Sequence, residues 1–204
     1  HLYQKMYRQS FWRMGVIGMS AISGIEQALW DIVGKHRQAP VYELLGGRVR
    51  DRVRMYTHLG GGDMSAVYDT QMHEDASRFV ELAQEVVAQG YTAVKVLLTP
   101  FTETLSGAAD YAYAEGVMAA LREGLGDAVD IMVDCHGRHF PANAIEFCRV
   151  LAAYRPYFIE EPVPPENVDA MAEVRRASPV PIATGERLVT RFEFREVLEK
   201  QACH

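Results

Sequence analysis

The sequence predicts an α/β protein built on a parallel sheet. Short, largely apolar runs alternate with helical stretches five times from residue 52 to the end of the 204-residue chain. Strands of that kind, joined by helices, belong to parallel sheets covered on their outer side. The strand ends add a further regularity: Asp134, Glu160 and Glu186 close three successive runs at equal intervals of 26 positions. Five such units fit either an open doubly wound sheet or part of a (β/α)8 barrel.

Taken in order, residues 1–15, HLYQKMYRQSFWRMG, lack the apolar core of a signal peptide. The clearest helix is expected over 20–38, where Ile25, Ala28, Leu29 and Ile32 recur at helical spacing and Ser20 or Ser23 can cap the start. PVYELLGG, 40–47, reads as a helical turn closed by two glycines. A strand is expected over 52–59, a helix over 74–90 ending on Gly90, a strand over 91–98 and a helix over 108–126. Strands over 129–134, 157–162 and 180–186 then alternate with helices over 142–154, 167–178 and 191–200. The last helical pattern stops without a cap or closing element and residue 1 is His, so both ends read as cut from a longer chain.

Composition narrows the functional classes. Hydrophobic residues make up 49% and charged residues 24%, a normal soluble balance. The net charge of −6 argues against a nucleic-acid partner. No unbroken apolar run approaches the ~20 residues of a membrane span, so no membrane partner is expected. Three cysteines, Cys135, Cys148 and Cys203, lack C-x-x-C spacing and read as reduced thiols of a cytoplasmic protein. No G-x-G-x-x-G or P-loop opens a helix, and the GGG at 60–62 has no phosphate-loop lysine.

The chemistry is expected at the strand ends. In a parallel barrel they share one rim, the face where sites are built. Three carboxylates brought together there repel strongly, and a divalent cation removes that penalty. Oxygen ligands without Cys or paired His point to Mg²⁺. His136, two residues past Asp134, is expected on the same side by strand alternation. His139 lies further out and reads as structural. Lys95, amid apolar neighbours in TAVKVLL, must point to the lumen or snorkel at an end. Arg138 either steers an acidic substrate or is a solvated arginine.

Together MSAISGIEQALWDIVGK (19–35), PVYELLGG (40–47), DCHGR (134–138), FIEEPV (158–163) and IATGERL (182–188) resemble the enolase superfamily. The similarity is greatest to its mandelate-racemase-like branch and, within that, to acid-sugar dehydratases of the galactonate type. The resemblance implies a partial (β/α)8 TIM-type barrel of about five units over 52–204. It would be preceded over 1–51 by the helical remainder of an α+β capping domain. It implies Asp134, Glu160 and Glu186 as Mg²⁺ ligands and Glu161 as a partner behind them. The reaction implied is α-proton abstraction from a small-molecule sugar acid, with Mg²⁺ stabilising the enediolate, followed by loss of water to a 2-keto-3-deoxy acid. His136 would be the general acid. Lys95 either contacts the substrate carboxylate or neutralises the acidic rim. The racemase-type K-x-K pair is interrupted here by Leu97, which counts against a lysine-based racemase. The α-proton base of such dehydratases comes from a seventh strand, so this chain alone is expected to be inactive. A racemase or cycloisomerase of the same superfamily, and a non-catalytic metal-binding truncated barrel, remain alternatives. The full-length protein is expected to form a homo-oligomer.

Overall fold

The computed structural model describes residues 1–59, 75–99 and 105–204. They fall into two compact units, His1–Arg54 with Glu186–Glu193, and Met55–Gly185 with Phe194–His204. The GGG motif at 60–62 lies outside the described residues.

The first unit holds α1 (Leu2–Gln9), α2 (Gly15–Arg37) and α3 (Val41–Leu44). Three successive left-handed residues, Arg13, Met14 and Gly15, turn the chain from α1 into α2. Arg13 stabilises that turn: its guanidinium donates to the carbonyls of Tyr7 (3.1 Å) and Ser10 (2.7 Å) at the C-terminal end of α1, and its backbone N–H also donates to the Ser10 carbonyl at 2.9 Å. α2 therefore begins at Gly15, with Met14 at its N-cap and no side-chain cap. The expected start at Ser20 or Ser23 is corrected, because Val16, Ile17 and Met19 continue the apolar pattern backwards. By length and composition α2 is able to cross a bilayer, with a mean hydropathy of 1.2. Glu26 and Asp31 interrupt it, so a search for unbroken apolar residues passes over it.

The second unit is the alternating one. Its strands are β1 (Thr57–His58), β2 (Ala93–Leu97), β3 (Asp130–Asp134), β4 (Ile159–Glu160) and β5 (Ile182–Ala183). All neighbours are parallel, in the order β1-β2-β3-β4-β5. The helices are α4 (Ala76–Ala88), α5 (Ala108–Leu125), α6 (Pro141–Leu151) and α7 (Val168–Ala177); α8 (Arg191–Glu199) starts in the segment that belongs to the first unit and ends in this one. Local signals start several of them. Asp75 accepts from the Ser77 N–H ahead of α4, and Asn167 accepts from the Ala170 N–H ahead of α7. Thr190 and Glu193 bond reciprocally at the start of α8, a capping box.

Register puts Val96, Val133, Ile159 and Ile182 in one row across four strands. All four are buried, as are Phe79, Met118, Leu121, Phe147, Leu151 and Met171 from the helices. Burying each such side chain contributes about 1.5–3 kcal/mol, so this row is the core that fixes the register. Alternation then places Lys95, Leu97, Met132, Asp134 and Glu160 on the opposite face.

Every expected strand is present, but the hydrogen-bonded parts of β1, β4 and β5 are only two residues long. The end of α8 is also closed, contrary to expectation. Ala202 N–H donates to the Val197 carbonyl, and His204 returns to β5, exchanging bonds with Ile182 through its N–H and Nδ1.

Candidate metal centre

Asp134 ends β3, Glu160 ends β4, and the two are register partners. Parallel pairing in register therefore puts two carboxylates side by side at one rim. At about 4 Å two unit charges interact by about 4 kcal/mol at an effective dielectric of 20, which is repulsive here. Lys95 relieves it. Its Nζ lies 3.0 Å from Asp134 Oδ2 and 2.8 Å from Glu160 Oε2. The Asp134 side chain is 2% exposed, and those of Lys95 and Glu160 are 12% and 13% exposed. Burial pulls the lysine pKa down, but the hydrogen bonds to Glu160 and Asp134 outweigh it and hold the ammonium above the usual lysine range. The Tyr56 ring lies 5.7 Å from the same nitrogen.

The chain leaves β3 through a left-handed turn at His136 (φ 50°) and Gly137 (φ 69°). Asp134 Oδ1 accepts the His136 N–H at 3.1 Å. Gly137 N–H donates to the Glu161 carbonyl at 2.7 Å, and Cys135 N–H to the Glu160 carbonyl at 3.0 Å. These bonds bring the His136 ring back, with Nε2 3.6 Å from Asp134 Oδ2. His136 thus reaches the rim, but by the turn and not by strand alternation, since the strand has already ended. Glu161 is also left-handed (φ 40°). Two non-glycine residues in that region on neighbouring tips are backbone strain of the kind that clusters at functional sites.

The other candidates take these places. Arg138 donates to the Thr99 carbonyl at 2.7 Å, and Thr99 Oγ1 donates to the Cys135 carbonyl at 3.3 Å, so the guanidinium braces the turn. Glu161 is fully buried and accepts from Thr184 Oγ1 at 3.4 Å. His139 is buried against Phe147, with ring centroids 4.9 Å apart.

Glu186 does not end β5 as expected. The strand stops at Ala183, which is the rung partner of Glu160, so the equal intervals measure unit length and not register. The chain instead turns through Gly185, whose φ of 135° favours glycine. One carboxylate oxygen from each of Asp134, Glu160 and Glu186 nevertheless lies within 4.8 Å of the other two. Three hard oxygen donors around a spot that already attracts an ammonium fit a divalent cation of the Mg²⁺ or Ca²⁺ kind.

A search for acids misses two neighbours of this cluster, Tyr56 and His58. His58 pairs in register with Lys95. Burial and then the Lys95 charge push its pKa below the usual value. The available signal was a polar residue one place before the end of the 52–59 strand run.

Comparison with known proteins gives the same frame. Residues 78–204 match the family model described as enolase C-terminal domain-like, and residues 1–46 match the mandelate racemase / muconate lactonizing enzyme N-terminal domain. The chain belongs to the enolase superfamily. α2, despite its apolar composition, lies inside the match to that N-terminal domain. A relative named D-galactonate dehydratase from Variovorax paradoxus (strain S110) is 41% identical over 200 residues, covering 98% of this chain and 49% of that protein. A D-galactonate dehydratase family member from Catenulispora acidiphila is 39% identical over 202 residues, covering 90% of this chain and 44% of its own length. Among solved structures, the mandelate racemase/muconate lactonizing enzyme-like protein from Rubrobacter xylanophilus DSM 9941 matches with TM-score 0.90 and 35% identity, over 99% of this chain and 55% of that one. The mandelate racemase/muconate lactonizing enzyme from a Sulfitobacter species matches with TM-score 0.86 and 40% identity, over 98% and 52%. The chain spans about half the length of the superfamily members it matches.

Proposed function

We propose that this chain is the metal-binding half of a sugar-acid dehydratase acting on an aldonate such as galactonate. On this reading Asp134, Glu160 and Glu186 hold Mg²⁺. Residues 1–51 are the remainder of the capping domain and residues 52–204 a partial barrel. The observation that carries the reading is the convergence of three carboxylate oxygens within 4.8 Å of one another, two of them contributed by adjacent strand tips in register. The resemblance to proteins named D-galactonate dehydratase supports the substrate class.

When bound, a divalent cation supplies positive charge to the substrate carboxylate and to the charge that develops as the α-proton leaves. The residues of this chain do the rest. His136 Nε2, beside Asp134, holds the proton delivered to the departing hydroxyl. Lys95 offers positive charge to an acidic substrate at this rim, while Arg138, expected as a second such cation, braces the turn that carries His136. The described residues gathered here are an acid, one cation and three ligands, and Leu97 stands where a second lysine would serve as base. The 204-residue chain alone is therefore expected to turn over galactonate little or not at all. The whole protein is read as a cytoplasmic homo-oligomer with a small-molecule substrate and neither a nucleic-acid nor a membrane partner.

Calorimetric Mg²⁺ titration of the chain, paired with a galactonate dehydration assay, tests the reading. Saturable binding at one site without turnover supports it. Absence of binding refutes the metal centre, and turnover at an ordinary enzyme rate refutes the incomplete acid–base set.

A further inference from the structure

We infer that Lys95 is a resident counter-ion. It holds Asp134 and Glu160 together when no metal is bound, gives up that position when a divalent cation enters, and so weakens the cation's binding. This rests on the metal centre proposed above and concerns how that centre is held and loaded.

The geometry behind it lies within one unit of the fold. Lys95 pairs with Met132, whereas Asp134 pairs with Leu97, two residues further along the same strand. Two residues of parallel strand rise about 6.6 Å, a gap that an extended lysine stem spans. The ammonium thus rises from inside the sheet face to the rim and contacts one oxygen of each acid, Asp134 Oδ2 and Glu160 Oε2. Asp134 Oδ1 is already engaged by the His136 N–H. Each oxygen of this nearly inaccessible carboxylate therefore already has one donor, the backbone amide on Oδ1 and a flexible side chain on Oδ2, and keeps a second lone pair. A divalent cation that takes Asp134 comes within a few Å of the ammonium and repels it by charge. The ammonium is the group that can swing aside, because the amide is fixed in the left-handed turn. The Tyr56 ring beside it, 5.7 Å from Nζ, offers a second resting place through cation–π attraction.

Charge leads to the same expectation. Asp134 and Glu160 carry two negative charges and Lys95 one positive charge, leaving one negative charge at this pair to attract a divalent ion. Without Lys95 there are two, and the repulsion between ammonium and incoming metal is gone. Removing Lys95 should therefore have effects of opposite sign. The metal-free chain loses stability because buried carboxylates are left uncompensated, while the affinity for the cation rises.

The test is Mg²⁺ titration by calorimetry of the wild type, Lys95→Met and Lys95→Arg, with thermal melts in EDTA. Lys95→Met is expected to bind Mg²⁺ at least about tenfold more tightly and to melt at a lower temperature in EDTA. Lys95→Arg should stay near the wild type in both. Unchanged or weaker binding by Lys95→Met overturns the inference while leaving the metal centre standing. A wild type that binds no Mg²⁺ overturns the metal centre instead. A second measurement needs no loss of the lysine. The chain has four lysines, at 5, 35, 95 and 200, so side-chain ¹⁵N spectra of the wild type can follow Lys95, assigned with Lys95→Arg. Its ammonium signal should be protected from exchange in EDTA and lose that protection at saturating Mg²⁺. Protection that persists at saturation overturns the inference, including in the case where Lys95→Met fails to fold.

Discussion

Lowering the pH from 7.5 to 5 should destabilise the fold through His139 by about 2 kcal/mol. The ring is 4% exposed, packs on Phe147, and neither of its nitrogens has a hydrogen-bond partner. Burial pushes its pKa down to about 4, against about 6.5 in an unfolded chain. Between those values the unfolded state binds a proton that the folded state refuses, so stability rises with pH in that window and is lost as pH falls. The full difference is about 3 kcal/mol, reached below pH 4, and about 2 kcal/mol of it is expressed by pH 5. Urea unfolding at half-unit steps from pH 7.5 to 5 measures it. His58 titrates in the same direction, so the comparison is with His139→Leu, which keeps His58 and is similar in volume. The wild type should lose about 2 kcal/mol more than the variant over this range. Parallel pH profiles for the two proteins would refute the assignment of a neutral, partnerless imidazole to this position.

Other expectations follow from single contacts. Arg122 donates to four carbonyls, those of Gly126, Val129, Tyr154 and Arg155. Arg122→Met should cost about 2–4 kcal/mol in thermal or urea unfolding, and Arg122→Lys should not restore it, because an ammonium cannot reproduce the planar fork. Gly185→Ala should cost about 1–3 kcal/mol, since φ is 135° and the added carbon would lie 3.3 Å from Phe194. Saturating Mg²⁺ should raise the melting temperature of the wild type but not of Asp134→Asn, as ligand binding to the folded state alone requires. Burial raises the Cys148 thiol to about 11 and pushes up the Cys135 thiol as well. A disulfide reagent at pH 8 should therefore modify the half-buried Cys203 first and the other two only as the chain unfolds.

The alternation of strands and helices was legible because its cause is local. Val94 and Val96, or Ile131 and Val133, read as strand since a run buried on both faces needs apolar residues at nearly every position. The acids at Asp134 and Glu160 stood out because they break such runs at matched points. Strand lengths were less legible. The stretch around Glu160 and Glu161 has strand composition, but pairing ends where Glu161 turns left-handed, and that turn is fixed by contacts from Ala183 and Gly137. The start of α2 was misplaced for the same reason: a serine invites a cap, but the actual start depends on Arg13 satisfying the carbonyls of the preceding helix.

Equal spacing along the chain and equal height in a sheet are different quantities, and the candidate site depends on the difference. Glu160 and Glu186 are spaced like Asp134 and Glu160, yet only the first pair shares a rung. Glu186 sits three residues past its strand partner's level, and a glycine turn lets its carboxylate approach the other two. Lys95 is the reverse case. It shares no rung with either acid, and a long stem closes the gap from two residues below. Sequence alternation could assign Lys95 to the inner face, but the register of β2 on β3 decided which oxygens it reaches. A one-residue slip of β2 would move Lys95 to the apolar face, which is why the buried row of Val96, Val133, Ile159 and Ile182 matters to the site as much as the acids themselves. Enlarging or emptying that row, for example by Val133→Ala, should therefore loosen the Lys95 contacts as well as the fold. The predicted signature is lysine-ammonium exchange at Lys95 that speeds up in the metal-free variant below its melting temperature, and unchanged exchange in a destabilised but folded Val133→Ala protein would separate the apolar row from the site.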